Sequence, residues 1–232
     1  MTTTLTEQTV QTTRSWDRSA GIAGIASVVL FVSLAIGISA DAPVFTDGAD
    51  ELRSWFADNE GPMRFWVWIA PAIFGVLHLF FAFGLLRRLG ESDTSGGILP
   101  RLASAGAIAG FGAAVVGMSL FGAMSLEPVR DASDDVLIAL SALDSVVFFG
   151  LIPWTTAVFV VAASVLMLRA PELPHWLSGL GFAAGVVSVM GGLWLFSGDP
   201  AGGIASLGLL GGLAVFAWTL TTSVFLIRNA TD

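Results

Sequence analysis

The chain has 232 residues, of which 55% are apolar and 12% charged, with a mean hydropathy of +0.82 and a net charge of −8. That balance lies outside the soluble globular range and points to a membrane protein, while the excess of acid argues against a nucleic-acid partner. The absence of cysteine removes disulfides, thiolate metal sites, iron–sulfur clusters and thiol nucleophiles together.

Taken in order, residues 1–18 are rich in Thr and Gln and read as a disordered cytoplasmic tail. The first span is expected over 19–40. A cleavable signal is the rival reading, with Ile38-Ser39-Ala40 as a faint cleavage site, but its apolar run is longer than the roughly 7 to 15 residues of a signal core. In the loop that follows, Asp47 is expected to cap a short helix with Leu52, Trp55 and Phe56 on one face, lying flat on the membrane surface.

The second span, 65–86, is uncharged, opens on tryptophans and stops at Arg87-Arg88. Its length in a helix is about 33 Å, enough to cross a hydrocarbon core of about 30 Å. Further spans are expected at 102–126, 145–168, 176–196 and 202–227, with a short tail at 229–232. Between the third and fourth, Val136, Leu137, Leu140 and Leu143 make an apolar stripe that extends the fourth helix outward. Gly198-Asp199-Pro200 reads as a tight outer turn, and the sequon Asn229-Ala230-Thr231 is inert at a cytoplasmic end. The fold class is therefore all-α, a polytopic bundle of six spans forming one domain over 19–228.

Orientation follows from arginine. Arg14, Arg18, Arg87, Arg88, Arg101, Arg169 and Arg228 fall on the side holding both termini, and Arg53, Arg64 and Arg130 on the other. The positive-inside rule then predicts cytoplasmic termini in an inner, or plasma, membrane.

Two patterns organise the interior. Pro71 precedes Arg87 by sixteen residues and Pro153 precedes Arg169 by sixteen, each followed by a Leu-Pro pair, so spans two and three resemble a parallel copy of spans four and five. Small residues also recur along single helix faces: Gly106, Gly110, Ala113 and Gly117; Gly181, Gly185, Ser188 and Gly192; Ala201, Ala205, Gly208 and Gly212. Such faces let backbones approach closely in lipid, so spans three, five and six are expected to form the tightly packed interior, with a dimer interface as the alternative use.

His78 is the one ionisable side chain expected deep inside a span, on a helix face with Pro71, Phe74, Phe81 and Leu85. It lies nine residues before Arg87, as Thr219 lies nine before Arg228, and this shared depth predicts a His78 to Thr219 hydrogen bond, with Thr222 and Ser223 nearby. A structural histidine, a substrate contact and a proton relay all remain open. Pro71 and Pro153 free the carbonyls of Val67 and Phe149, with Thr155 and Thr156 placed to help. Asp144 reads as an interfacial or capping residue. No cofactor is implied: haem lacks a second histidine at the same depth, and no metal site is expected within the spans. The outer acids read as a solvated face, a divalent cation being the alternative.

An outer loop ending in Trp55-Phe56 with Asn59, a Trp-rich second span, the stop Leu85-Leu86-Arg87-Arg88 and the sequence Leu173-Pro174-His175-Trp176-Leu177 together resemble a group of six-helix integral membrane proteins of high-GC bacteria. That resemblance implies topology and no activity. Three functions stand: a non-catalytic bundle embedded in the lipid bilayer and acting through a membrane-protein partner or a homo-oligomer; a small permease or carrier for a neutral or apolar solute near His78; and a lipid-modifying enzyme using His78 as base.

Overall fold

The computed structural model describes residues 2–39, 41–199 and 202–230; the side chains of residues 2–13, Leu34, Ile38, Ser39 and Phe74 lie outside that description. Ala40, Pro200, Ala201 and Thr231, used above in the cleavage-site, turn, stripe and sequon readings, also lie outside the described residues.

Among the described residues every regular element is helical. In chain order these are α1 (Thr2–Ser39), a 3-10 turn (Phe45–Asp47), α2 (Ala49–Asp58) and α3 (Glu60–Pro71). A π-helical segment (Ala72–His78) leads into α4 (Leu79–Gly90), followed by α5 (Ile98–Met124) and α6 (Glu127–Arg130). Next come α7 (Asp134–Val146), a second π segment (Val147–Leu151), α8 (Ile152–Met167), α9 (His175–Gly191), α10 (Trp194–Ser197) and α11 (Gly203–Asn229). Six stretches are long and apolar enough to cross a membrane: Arg14–Gly37, Glu60–Gly90, Ile98–Met124, Asp134–Met167, His175–Ser197 and Gly203–Asn229. Six crossings leave both ends on one side, called here the near face.

Neighbours in sequence are neighbours in space. α1 packs on α4, α4 on α5, α5 on α8, α8 on α9 and α9 on α11, and α11 closes the ring against α1. The outward surface is apolar: Phe196 is 88% exposed, Trp68 74% and Leu209 66%. A helix bundle apolar both inside and out requires a surrounding solvent that is itself apolar, and a bilayer supplies it.

The small-residue faces work within this ring, with two corrections. A Cβ on Gly106 would come within 2.6 Å of the Phe159 amide nitrogen, one on Gly110 would reach Thr155 Oγ1 at 3.4 Å, and one on Gly117 would meet Phe148 at 2.7 Å. The α5 stripe therefore packs against span four rather than against spans five and six. Gly185 lies against Val161, Gly192 turns toward the carbonyls of Val189 and Phe149, and Gly191 abuts the backbone of Gly208. On α11 the second contact glycine is Gly211, whose Cβ would stand 2.5 Å from Ser188 Cα, whereas Gly212 has nothing within 4 Å. The stripe read with Gly212 is thus rotated by one residue.

On the far face, α2 does not lie on the bilayer surface. Leu52 and Phe56 are fully buried in a cluster with Met63, Trp66, Met124 and Leu137, so the helix closes the end of the bundle. Nor does Asp47 cap α2: Gly48 holds the N-cap position, and Asp47 accepts the Val44 amide at 2.8 Å, closing the preceding turn. Arg53 joins the two far loops. Its Nε donates to Arg130 O at 2.9 Å and its Nη2 to Ala132 O at 2.9 Å and to Asp134 Oδ1 at 2.8 Å. Arg130 in turn pairs with Glu60 at 3.2 Å. Replacing Arg53 with alanine leaves those acceptors unpaired and is expected to cost on the order of 2 kcal/mol. The check is a lowered thermal midpoint together with faster proteolysis of the loop over 41–59.

The near face is tied by a second set of charges. Residues 1–18, expected to be disordered, belong from Thr2 onward to α1. Asp17, 5% exposed, accepts from Arg87 Nη2 at 2.8 Å and lies 4.0 Å from Arg88. Arg88 also reaches Glu172 at 3.3 Å, and Arg169 stands 3.9 Å from Asp93. Asp93 shapes the start of α5: its Oδ1 accepts the Ser95 hydroxyl at 2.6 Å and amide at 2.9 Å, and its Oδ2 accepts the Gly97 amide at 2.7 Å. Ser95 Oγ then accepts the Leu99 amide at 3.0 Å. The Ser95 hydroxyl first, then the two amides and Arg169, hold the Asp93 carboxyl below its ordinary range. A depressed folded-state pKa gives stabilisation that is present above the unfolded value of about 3.9 and is lost as pH falls through the lower folded value. Hydrogen exchange at the Ser95 and Gly97 amides is therefore expected to stay slow at neutral pH and to accelerate only on strong acidification.

Candidate functional site

The middle of the ring is filled by four side-chain rings drawn from spans two, four and six. His78 lies 6.0 Å from Phe81 and 6.1 Å from Phe159, centroid to centroid. Trp218 closes the circuit at 6.4 Å from Phe81 and 5.8 Å from Phe159, both edge to face. These separations are those of favourable aromatic pairs. Phe81, Phe159 and Trp218 are fully buried and His78 half-buried.

Local sequence explains why His78 arrives here without Pro71. Seven residues apart in a regular α-helix share a face, but Ala72–His78 is a π turn, whose wider winding breaks that phase. Pro71 is accordingly exposed on the bundle surface. The matched prolines flank π segments from opposite sides: Pro71 immediately precedes the first, and Pro153 stands just after the second. On span four Thr155 Oγ1 donates to the carbonyls of Leu151 and Ile152, not to that of Phe149, toward which Gly192 turns.

Counting from the arginines gives the right depth for span six and the wrong side of the helix. Thr219 Oγ1 has no hydrogen-bond partner, so the expected bond to His78 is not made. Thr219 shares its helix face with Ser223, whose hydroxyl meets Gly24 of α1, while the adjacent Trp218 takes the position facing the Phe81 and Phe159 rings.

Beside Trp218 lies a set of polar groups that the sequence reading did not assemble. A Cβ on Gly181 would strike Ser164 Oγ and come within 2.7 Å of Trp218 Nε1, so α8, α9 and α11 bring these two groups to one point. The pairings Gly191 with Gly208, Ser188 with Gly211 and Gly181 with Trp218 fix the α9–α11 register, and one turn further it brings Leu177 and Ser178 level with Thr222 and Thr221. Ser164, Ser178, Trp218, Thr219, Thr222 and Ser223 are at most 1% exposed, and none of their side-chain polar atoms has a hydrogen-bond partner. Other hydroxyls of the spans behave differently: Ser119, Thr155 and Thr221 turn back onto the carbonyl four residues earlier.

Asp144 is a correction as well as an addition. It is buried on one helix face with Leu137, Ser141 and Ser145, and its Oδ1 is unpartnered. Of the apolar stripe that extends this helix outward, Val136 and Leu143 are exposed and Leu137 is buried. Ser141, Asp144 and Ser145 at i, i+3 and i+4 were the available signal for a buried polar face.

On the far face Asp41, Asp47 and Glu51 border an open depression of about 450 Å³ with Ala42 and Pro43. Among the described residues no three His, Cys, Asp or Glu side chains are arranged to hold a metal ion. Much of the far-face acid is matched: Asp50 and Asp134 by Arg53, Glu60 by Arg64 and Arg130, and Asp131 by Arg130. Comparison with protein-family models, with curated proteins and with solved structures returns no match.

Proposed function

We propose that this chain is a multi-pass protein of the plasma membrane, with both termini in the cytoplasm, and that it is a non-catalytic carrier for a small neutral solute bound inside the helix ring. The arginine distribution supports the orientation, with Arg87, Arg88 and Arg169 concentrated on the near face. One observation carries the function: the buried, unpartnered polar groups Ser164 of α8 and Trp218 of α11 meet at Gly181 of α9, and Trp218 joins the Phe81 and Phe159 rings beside His78. Burying such groups without partners costs several kcal/mol in total, at about 1 to 3 kcal/mol each, and a hydrogen-bonding solute offsets that cost.

A bundle acting through partners or self-association draws less support. Gly106, Gly117, Gly181, Gly185 and Gly208 face other helices of the same chain, so these small faces are occupied within it. A lipid-modifying enzyme built on His78 has the rings of Phe81 and Phe159 where a second catalytic group would stand.

The test is stopped-flow light scattering of proteoliposomes under an inward gradient of glycerol or urea. Re-swelling faster than in protein-free liposomes is expected. Equal rates for both solutes contradict the carrier reading.

A further inference from the structure

Charge on the near face is unevenly matched. Among the described side chains its acids are Asp17, Glu91, Asp93 and Glu172, and each lies within 4.0 Å of an arginine: Asp17 of Arg87 and Arg88, Glu91 and Glu172 of Arg88, and Asp93 of Arg169. Arg14, Arg18 and Arg101 are exposed and stand in none of these pairs.

Arg14 and Arg18 belong together. They lie four residues apart on α1, so their Cβ atoms are about 6 Å apart on one helix face. The same face continues through Ile22 and Val29, each 52% exposed, to Ile36, 68% exposed. The opposite face is the packed one: Asp17 and Ala20 are buried, Ala20 meets Gly84 of α4, and Gly21 and Gly24 lie against Ser223 of α11. Depth is fixed too. Asp17, between the two arginines, is held by Arg87 at the stop of span two, and Trp16, half-exposed, packs its ring on Phe80 at 5.4 Å. Tryptophan of this kind sits where hydrocarbon gives way to headgroups. The arginine pair therefore stands at phosphate level, at the head of a strip of apolar side chains turned to the lipid.

We propose that Arg14 and Arg18 bind the phosphate of one anionic phospholipid of the near leaflet, with an acyl chain lying along Ile22, Val29 and Ile36. Each guanidinium presents a planar fork of N–H donors that matches phosphate oxygens. An anionic headgroup brings charge to two guanidiniums that no acidic side chain matches, whereas a choline headgroup carries its own cation beside the phosphate and gains less. The strip below gives the acyl chain an apolar surface, which a water-soluble phosphate does not use. This surface is independent of any solute carried inside the ring.

The test uses the full chain in dodecyl maltoside, with dioleoylphosphatidylglycerol added and bound lipid read by native mass spectrometry. Arg14→Gln and Arg18→Gln are each expected to weaken binding about five-fold, the effect of one basic residue near an anionic surface. Arg101→Gln, which removes an exposed arginine from α5, is expected to leave it unchanged. Dioleoylphosphatidylcholine is expected to bind less tightly, and inorganic phosphate at equal concentration is expected not to displace the bound lipid. Unchanged binding in both α1 variants, or an equal loss in Arg101→Gln, overturns the site. Equal binding of phosphatidylcholine overturns the anionic class. Displacement by inorganic phosphate overturns the lipid as the source of the phosphate. Both α1 positions are exposed and independent, so a folding defect in one variant leaves the other to decide.

Discussion

Gly211→Ala is expected to lower the thermal stability of the detergent-solubilised protein, while Gly212→Ala, one residue along, is expected to leave it unchanged or raise it. The contrast comes from what each new methyl group meets. On Gly211 it would stand 2.5 Å from Ser188 Cα and equally close to the Ser188 nitrogen, and backbone cannot swing aside as a side chain can. α9 and α11 must then separate along their shared face, where Gly191 also abuts Gly208 and where Trp218 meets Gly181. Overpacking of this kind costs about 1 to 3 kcal/mol, and rigid backbone puts it toward the upper end. On Gly212 nothing lies within 4 Å, so the helix gains up to about 1 kcal/mol from the better helix former. Thermal midpoints from fluorescence-detected gel filtration decide it. A Gly212 variant less stable than the Gly211 variant would mean that α11 is turned the other way.

Trp218→Ala is the second large effect. The side chain is fully buried and meets Phe81, Phe159 and Gly181, so truncation removes the contact that closes the aromatic layer. Loss of a buried tryptophan ring costs about 3 to 5 kcal/mol. It also opens a gap in the aromatic layer, so proteoliposomes carrying this variant are expected to leak glycerol faster than wild type. Trp218→Phe separates the two consequences: it retains most of the packing but removes the N–H that faces Ser164. A smaller loss of stability, with a glycerol leak closer to that of wild type, is expected. Unchanged leak in the alanine variant, with the protein still folded, would show that the rings are not the barrier.

What the sequence made legible was depth along the membrane normal. Charge-free runs bounded by arginine located all six helices, because a bilayer forbids unpaired charge and unbonded backbone over a fixed thickness. The side on which a residue points was legible only where the helix stayed regular. His78 and Pro71 parted company because a π turn intervenes, and hydropathy carries no sign of a π turn. Thr219 gave way to Trp218 and Gly212 to Gly211 for a related reason: adjacent residues are about 100° apart in a helix, so a one-residue error in phase exchanges the residue that meets a given neighbour for one that faces elsewhere.

Tertiary partners explain the remaining differences. Asp17 was read as part of a tail because its partners, Arg87 and Arg88, lie on another helix, and the far-face helix was laid on the membrane because its cover over Met63, Trp66 and Leu137 is a long-range contact. The meeting of buried polar groups beside Trp218 was hidden for the same reason. Ser164 is an ordinary serine in an apolar span until close packing at Gly181 brings it beside Trp218.

The most direct measurement is an experimental density map of the bundle interior, recorded with glycerol present, at a resolution that shows ordered solvent. Density beside Ser164 and Trp218, within hydrogen-bonding distance of Ser164 Oγ or Trp218 Nε1, is the expected result. A dry interior, with the Ser164 hydroxyl turned onto the Val160 carbonyl, would contradict it.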